Sequence, residues 1–195
     1  MVRRMTSPHF YTDTDIGRLV YRDSIYREDF NLNIDTKIEV YADRVFGWFL
    51  DIATKLQEDN ESGFVILMIC MSQIEGIEQF KRGEKTKKGE SMKLIKDCLK
   101  RIFTISSLNE ERLEKMIDEL RNGLFHDGMT RKNFFINGEY PIAVAFLEGD
   151  LIMVNPHLFL NKIRGEFEQY ISLLKDPVNV DLRKNFEKMF DLLNT

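Results

Sequence analysis

Cysteine and histidine are scarce in this chain of 195 residues, which has two cysteines and three histidines. The sequence contains no Cys-x-x-Cys pair and no His-Glu-x-x-His run. It therefore does not fit a metal hydrolase, and we expect neither a metal nor another cofactor. Cys70 lies in an apolar run and Cys98 on the apolar face of a predicted helix. Both are predicted to be buried thiols, which suits a reducing cytosol.

Long apolar runs and familiar catalytic loops are also lacking. The longest apolar run, residues 64–71, is far too short to span a bilayer, and the basic start of the chain is not followed by the apolar core of a signal peptide. The glycines at 83 and 89 enclose no Gly-Lys-Ser/Thr ending, so a P-loop is rejected. No Ser or Cys nucleophile turn is recognisable. We expect a soluble cytoplasmic protein that does not bind membranes.

The composition is that of one ordinary globular domain, with 43% hydrophobic and 31% charged residues. Residues 1–35 show no sustained periodicity and are predicted to form an irregular arm. Residues 36–195 are predicted to form a single domain, because no internal repeat, low-complexity tract or linker divides them.

Helical periodicity dominates from residue 36 onward. Thr36-x-x-Glu39 is interpreted as a capping box that opens a helix to about residue 58. Further helices are predicted over about 61–82 with Gly83 just beyond the end, 91–105, 155–174 with Asn155 as the N-cap and Pro156 at the first position, and from 179. The second is apolar nearly all round at its start, as a central helix would be. Predicted buried residues are Val45, Phe46, Phe49, Ile52, Ala53 and Leu56 in the first helix, Phe159, Ile163, Phe167, Tyr170, Ile171 and Leu174 in the helix over 155–174, and Leu182, Phe186, Met189, Phe190 and Leu193 in the last.

One further helix ends in an unusual polar cluster. Ser107-x-x-Glu110 predicts its start and Asp127-Gly128 its end. Its apolar residues recur at helical spacing, so it should be anchored in a core. Near its end lies Arg121-Asn122-Gly-Leu-Phe-His126, in which Asn122 and His126 share a face and Arg121 is about 140° from His126. The predicted apolar stripe consists of Leu113, Met116, Ile117, Leu120 and Leu124.

The periodicity changes between this motif helix and the C-terminal helices. Three short β-prone runs at 134–136, 142–147 and 151–154 are separated by turn-forming residues. They predict a small antiparallel β-meander inserted at about 134–154. The predicted fold class is therefore mainly α, a helical bundle with a β insertion.

The Arg-x4-His spacing late in a helix of a small helical domain resembles the signature of the HEPN superfamily, over roughly residues 38–193. The stretch from Asn155 to Phe159, together with Glu75-Gly76, is similar to a plasmid-encoded HEPN subfamily. The resemblance implies a four- to five-helix domain that commonly dimerises. Many members are metal-independent ribonucleases, often toxins or antiviral effectors, whereas others bind nucleotides or have no known activity.

For such a ribonuclease, the expected reaction is attack of a ribose 2′-OH on the adjacent phosphate, leaving a 2′,3′-cyclic phosphate and a 5′-OH. His126 would transfer a proton, Arg121 would stabilise phosphoryl charge, and Asn122 would orient either partner. One histidine does not readily serve as both base and acid, so a homodimer with a composite site is expected. Ser72 and Glu75 are supporting candidates; Glu75 points at Arg121, at the same cleft or at solvent.

Charge is distributed unevenly along the chain. The net charge is −4, yet residues 81–101 hold nine Lys or Arg against three acids. This stretch is a candidate RNA contact, and the alternative is a solvated loop and helix face without base-stacking aromatics. Its candidate RNA-binding residues are Lys85, Lys87, Lys88, Lys93, Lys96, Lys100 and Arg101.

Other functions stay open at this point. The main alternative is a non-catalytic HEPN-like module that binds RNA, a nucleotide or a protein. A third is a structural or antitoxin-type interaction protein, and a toxin would have a neutralising protein partner. In these alternatives His126 caps a helix end, and Arg121 forms a surface ion pair with Glu114, Asp118 or Glu119.

Overall fold

A computed structural model describes residues 3–5, 7–13, 18–21, 33–104, 110–121, 123, 130 and 133–194. Helices account for most of them, which confirms the prediction of a mainly helical bundle. The helices are α1 (Ile34–Val45), α2 (Asp51–Leu56), α3 (Gly63–Arg82), α4 (Ser91–Phe103), α5 (Glu110–Asp118), α6 (Pro156–Lys175) and α7 (Val180–Asn194). The strands are β1 (Arg3–Met5), β2 (Phe10–Asp13), β3 (Arg18–Tyr21), β4 (Phe134–Ile136), β5 (Val144–Phe146) and β6 (Ile152–Val154).

Helix α3 is the central element and packs against α4, α6 and α7. It ends as predicted at Gly83, whose φ of 68° is the left-handed conformation that favours glycine. A side chain at Gly83 would meet the Asn185 backbone of α7, and the Asn185 amide donates to the Lys81 carbonyl at 3.1 Å. Its central position agrees with the interpretation of its apolar start, although Phe64 and Val65 at that start are 41% and 47% exposed.

Helix α3 is also, among the described residues, the helix long and apolar enough to qualify as a membrane span by composition. More than half of its apolar window is buried inside the protein. Packing in the core therefore accounts for its length and apolarity, since the central helix of a globular domain passes the same test.

The first helix begins and winds differently from the prediction. Asn33 is the N-cap, and its side chain accepts a hydrogen bond from the Thr36 amide at 2.9 Å. The predicted capping box at Thr36 is therefore wrong, because Thr36 already lies in the first turn. Between α1 and α2, Phe46–Leu50 form a π-helical segment. Its wider turns shift the buried face, so Leu50 is buried while Ile52, predicted to be inside, is 44% exposed.

The strands after α5 form a sheet in the order β4-β6-β5, with β4 parallel and β5 antiparallel to β6. The predicted antiparallel meander is therefore wrong in its pairing. Asn155, directly after β6, explains the difference. Its amide donates to the carbonyls of Gly138 and Tyr140, and its backbone N–H donates to that of Ala143. These bonds hold the loop before β5, so that β5 lies on the edge of β6 opposite β4.

The N-terminal segment was predicted to be irregular, yet its described residues include the antiparallel sheet β1-β2-β3. Strands of three or four residues are too short for an alternating pattern to stand out in the sequence. The segment is tied to α1 through Asp43, which accepts hydrogen bonds from the Ser7 hydroxyl, the His9 backbone N–H at 2.9 Å and His9 Nδ1 at 2.5 Å. The division into an arm and a domain stays a prediction.

The C-terminal helices follow the sequence closely. Asn155 caps α6 by accepting from the amides of His157 and Leu158, and Pro156 occupies the first turn, as predicted. In α7, Leu193 is 47% exposed, so its predicted burial is wrong. Cys70 and Cys98 are buried as predicted, and burial raises the pKa of the Cys98 thiol to about 12. The predicted inward faces that are buried include Phe159, Ile163, Phe167, Tyr170, Ile171 and Leu174 of α6 and Phe186, Met189 and Phe190 of α7.

Candidate functional site

Arg121 stands at the end of a firmly anchored helix. Four apolar side chains of the motif helix are fully buried. Ion pairs on the opposite side join α5 to α4: Lys96 Nζ lies 2.5 Å from Glu114, and Lys100 pairs with Glu110. Arg121 is therefore carried by a rigid support. The buried side chains are Leu113, Met116, Ile117 and Leu120.

The winding of the chain changes immediately before Arg121, because residues 119–121 are π-helical. The predicted angle between Arg121 and His126 depends on residues that lie outside the described part of the chain. π-Turns in α-helices are frequent at functional sites. The segment Phe46–Leu50 in the same protein shows that such a turn also serves packing alone.

The guanidinium of Arg121 has one weak partner among the described residues. Its Nη2 lies 3.4 Å from Oε2 of Glu75 on α3, which is long for a charged hydrogen bond. The Arg121 side chain is 42% exposed and that of Glu75 is 24% exposed. Most of its five N–H donors therefore form no hydrogen bond with a residue that the structure describes. The structure brings Glu75 to Arg121, one of the arrangements considered from the sequence.

The partners expected from the motif itself cannot be placed beside Arg121. Asn122 and His126 lie outside the described residues, as do the predicted helix boundaries at Ser107 and Asp127-Gly128. Of the surface ion-pair partners considered for Arg121, Glu114 pairs with Lys96 instead. The roles of Asn122 and His126 stay predictions.

The other polar residues predicted on α3 have local partners. The exposed Ser72 hydroxyl donates to the Ile69 carbonyl at 2.7 Å and accepts from the Gln73 amide at 3.1 Å. Gln79 donates to the Thr86 hydroxyl at 3.0 Å. Of Ser72, Glu75 and Gln79, only Glu75 contacts Arg121 within the described part of the chain.

The basic stretch divides into two groups. Three of its candidate RNA-binding residues are held in ion pairs: Lys96, Lys100 and Arg101. Four others are exposed and form no ion pair with any residue that the structure describes. The surface available to a polyanion is therefore smaller than the sequence suggests. These four are Lys85, Lys87, Lys88 and Lys93.

Sequence reasoning missed a cluster of four charges between α3, α4 and α6: Glu78, Lys81, Arg101 and Glu166. It is here called the buried ion cluster after its carboxylates, whose side chains are 7% and 15% exposed, whereas the Arg101 side chain is 48% exposed. Arg101 Nη2 lies 2.6 Å from Glu78 and 2.7 Å from Glu166, and Lys81 contacts both carboxylates. Burial would raise the pKa of Glu78 and of Glu166, but hydrogen bonds and charge from Arg101 and Lys81 outweigh it and lower both. The partners come from three helices, so no local sequence signal exists.

Within the described part of the chain, no three His, Cys, Asp or Glu side chains lie together as ligands for an ion. What the arrangement offers is a fixed, partly exposed cation beside a carboxylate, which suits electrostatic binding of a phosphate group.

Comparison with known proteins leaves the family open. No family model matches the chain, and no curated protein or solved structure matches it significantly. The resemblance to the HEPN superfamily thus rests on the spacing from Arg121 to His126 and its helical context.

Proposed function

We propose that this protein is a metal-independent endoribonuclease of the HEPN type, in which Arg121 binds the scissile phosphate. The observation that carries this proposal is the placement of Arg121. A helix locked into the core presents a partly exposed guanidinium whose one described partner is 3.4 Å away. A planar fork with unused donors matches the geometry of phosphate oxygens.

His126 completes the proposed chemistry. It removes the proton from the ribose 2′-OH or delivers one to the leaving 5′-oxygen, while Asn122 orients the imidazole or the phosphate. The attacking oxygen displaces the 5′-oxygen, and the products are a 2′,3′-cyclic phosphate and a 5′-OH. No redox step or metal is required.

The proposed active form is a homodimer that supplies two copies of the motif to one composite site. The exposed Phe64 and Val65 of α3 give this arrangement apolar surface to bury, on the helix that also carries Glu75. A toxin or defence role, a neutralising partner and a cytoplasmic location belong to the same proposal.

A second candidate function is RNA binding without cleavage. The four exposed lysines Lys85, Lys87, Lys88 and Lys93 favour it, because they could contact phosphates with no chemistry at Arg121. In that case the Glu75–Arg121 pair is structural.

The experiment incubates purified protein with mixed RNA in EDTA and analyses the product ends. The variants are Arg121→Ala, His126→Ala and, as a matched charge control, Lys188→Ala at an exposed position on α7. We expect the parent and Lys188→Ala to give cyclic phosphate ends, and the other two to lose about 100-fold or more in rate. Undiminished cleavage by Arg121→Ala overturns the proposal. RNA bound without cleavage by all four proteins selects the binding function.

A further inference from the structure

Two cavities adjoin along α6 and form one groove, here called the α6 groove. Its polar half has a volume of about 600 Å³ and is lined by Arg101, Glu166, Gln169 and Tyr170. Its apolar half has a volume of about 650 Å³ and is lined by Phe103, Pro141, Ile142 and Leu158. Both halves share Ile102, Asn161 and Lys162. Concave sites of this size are typical of small-molecule binding.

The charges of the polar half leave one positive charge without a partner. In the buried ion cluster, two cations balance two carboxylates. Lys162 is exposed at the junction of the two halves and forms no ion pair with a residue that the structure describes. The groove therefore favours a ligand with a single negative charge. A doubly charged phosphate ester would place excess negative charge near Glu166.

Tyr170 forms part of the wall of the polar half but offers no donor to a ligand there. It is 1% exposed, and its hydroxyl is buried from solvent, with no hydrogen-bond partner among the described residues. A ligand in the groove therefore does not reach this hydroxyl, and Lys162 is the group that distinguishes an anion from a neutral ligand.

The apolar half is suited to bind a hydrocarbon chain. Its wall combines aromatic, aliphatic and proline side chains, and Ile142 is 51% exposed. A hydrocarbon chain placed there would remove this surface from water, which is favourable in proportion to the area buried.

We propose that the α6 groove binds a monoanionic amphiphile, namely a medium- to long-chain carboxylate. The carboxylate lies in the polar half beside Lys162, which provides the balancing charge, and the hydrocarbon chain fills the apolar half. Binding involves no covalent step and is independent of RNA cleavage at Arg121.

The first test titrates the full-length protein with dodecanoate, below its micellar concentration, in a calorimeter. Lys162→Met removes the charge and keeps the length of the side chain, and Lys184→Met makes the same change at an exposed position on α7. We expect saturable binding that weakens about tenfold in Lys162→Met and is unchanged in Lys184→Met. No saturation up to about 1 mM, or equal affinity in both variants, overturns the proposal.

The second test varies the ligand on the parent protein. Dodecanoate should bind more tightly than dodecanol, which lacks the charge, than dodecyl phosphate, which carries too much, and than hexanoate, which has a shorter chain. Tighter binding of dodecyl phosphate, or affinity independent of chain length, contradicts the assignment.

Discussion

Glu75 and Glu78 lie one turn apart on the same helix, yet they occupy very different environments. The Glu78 side chain is 7% exposed and accepts from both Lys81 and Arg101 within the buried ion cluster. Glu75 is 24% exposed, and its one described cation, Arg121, is 3.4 Å away. The comparison teaches that burial and the number of partners, rather than residue type, decide whether a charge fixes the fold or leaves its cation available.

The largest expected difference is in stability. Glu78→Ala should lower the free energy of unfolding by about 3 kcal/mol, because it removes a nearly buried carboxylate that accepts from both Arg101 and Lys81 and leaves Glu166 as their one remaining partner in the cluster. Glu75→Ala should change it by no more than about 0.5 kcal/mol. Urea unfolding followed by circular dichroism measures both, with Glu78→Gln as a control that keeps the shape. Equal losses of unfolding free energy in the two alanine variants would contradict the distinction between the buried Glu78 and the more exposed Glu75.

A smaller loss of unfolding free energy is expected at acidic pH. The folded pKa of Glu78 and of Glu166 lies below the ordinary value of 4.5, so their stabilisation is fully present above about pH 4.5 and is lost as the pH falls through the folded pKa. The loss is smaller than for truncation because a protonated carboxyl still forms hydrogen bonds. Unfolding free energies between about pH 6 and pH 3 measure it. Glu78→Gln should flatten the profile, and an unchanged profile would contradict the assignment.

Asp43 provides an intermediate case, since its side chain is 17% exposed and accepts three hydrogen bonds from Ser7 and His9. Asp43→Ala should lower the free energy of unfolding by about 2 kcal/mol. It should also speed proteolysis between the N-terminal segment and α1. Glu39→Ala, at an exposed position on the same helix, is the control. No difference between these variants would show that the tie to α1 is weak in solution.

The smallest expected effect concerns RNA. Glu75→Gln removes the carboxylate that competes for Arg121, so affinity for short single-stranded RNA should rise about threefold, the scale of an exposed ion pair. Fluorescence anisotropy at low and high salt measures it, with the exposed Glu58→Gln, outside the basic stretch, as the control. A weaker affinity would place Glu75 itself among the RNA-binding groups.

The sequence predicts those elements whose signals are local. Asn155-Pro156 at the start of α6 and Gly83 at the end of α3 each specify a backbone conformation by their own chemistry, and both are found where expected. The burial of Leu50 in place of Ile52 could not be predicted, because a π-turn shifts the helical phase and no particular residue type marks it in the sequence. The parallel pairing of β4 with β6 depends on hydrogen bonds made by Asn155 to a loop more than a dozen residues earlier.

The candidate site likewise combines features that local sequence patterns predict with contacts that they do not. The anchoring stripe of α5 is a periodic pattern, and its four described members are buried. The contact of Arg121 with Glu75 spans 46 residues, and that of Arg101 with Glu166 spans 65. Charge alone indicates that such residues need partners, but it does not say which helix will supply them.

The contact between Gly83 and Asn185 has a consequence for the synthesis of the protein on the ribosome. The end of α3 is fastened to α7 by a bond between residues 104 positions apart. While the ribosome is still translating the middle of the chain, the apolar face of α3 therefore has no C-terminal helix to cover it. The nascent protein therefore exposes this surface until α6 and α7 have been translated, and transiently exposed apolar surface of this kind favours aggregation.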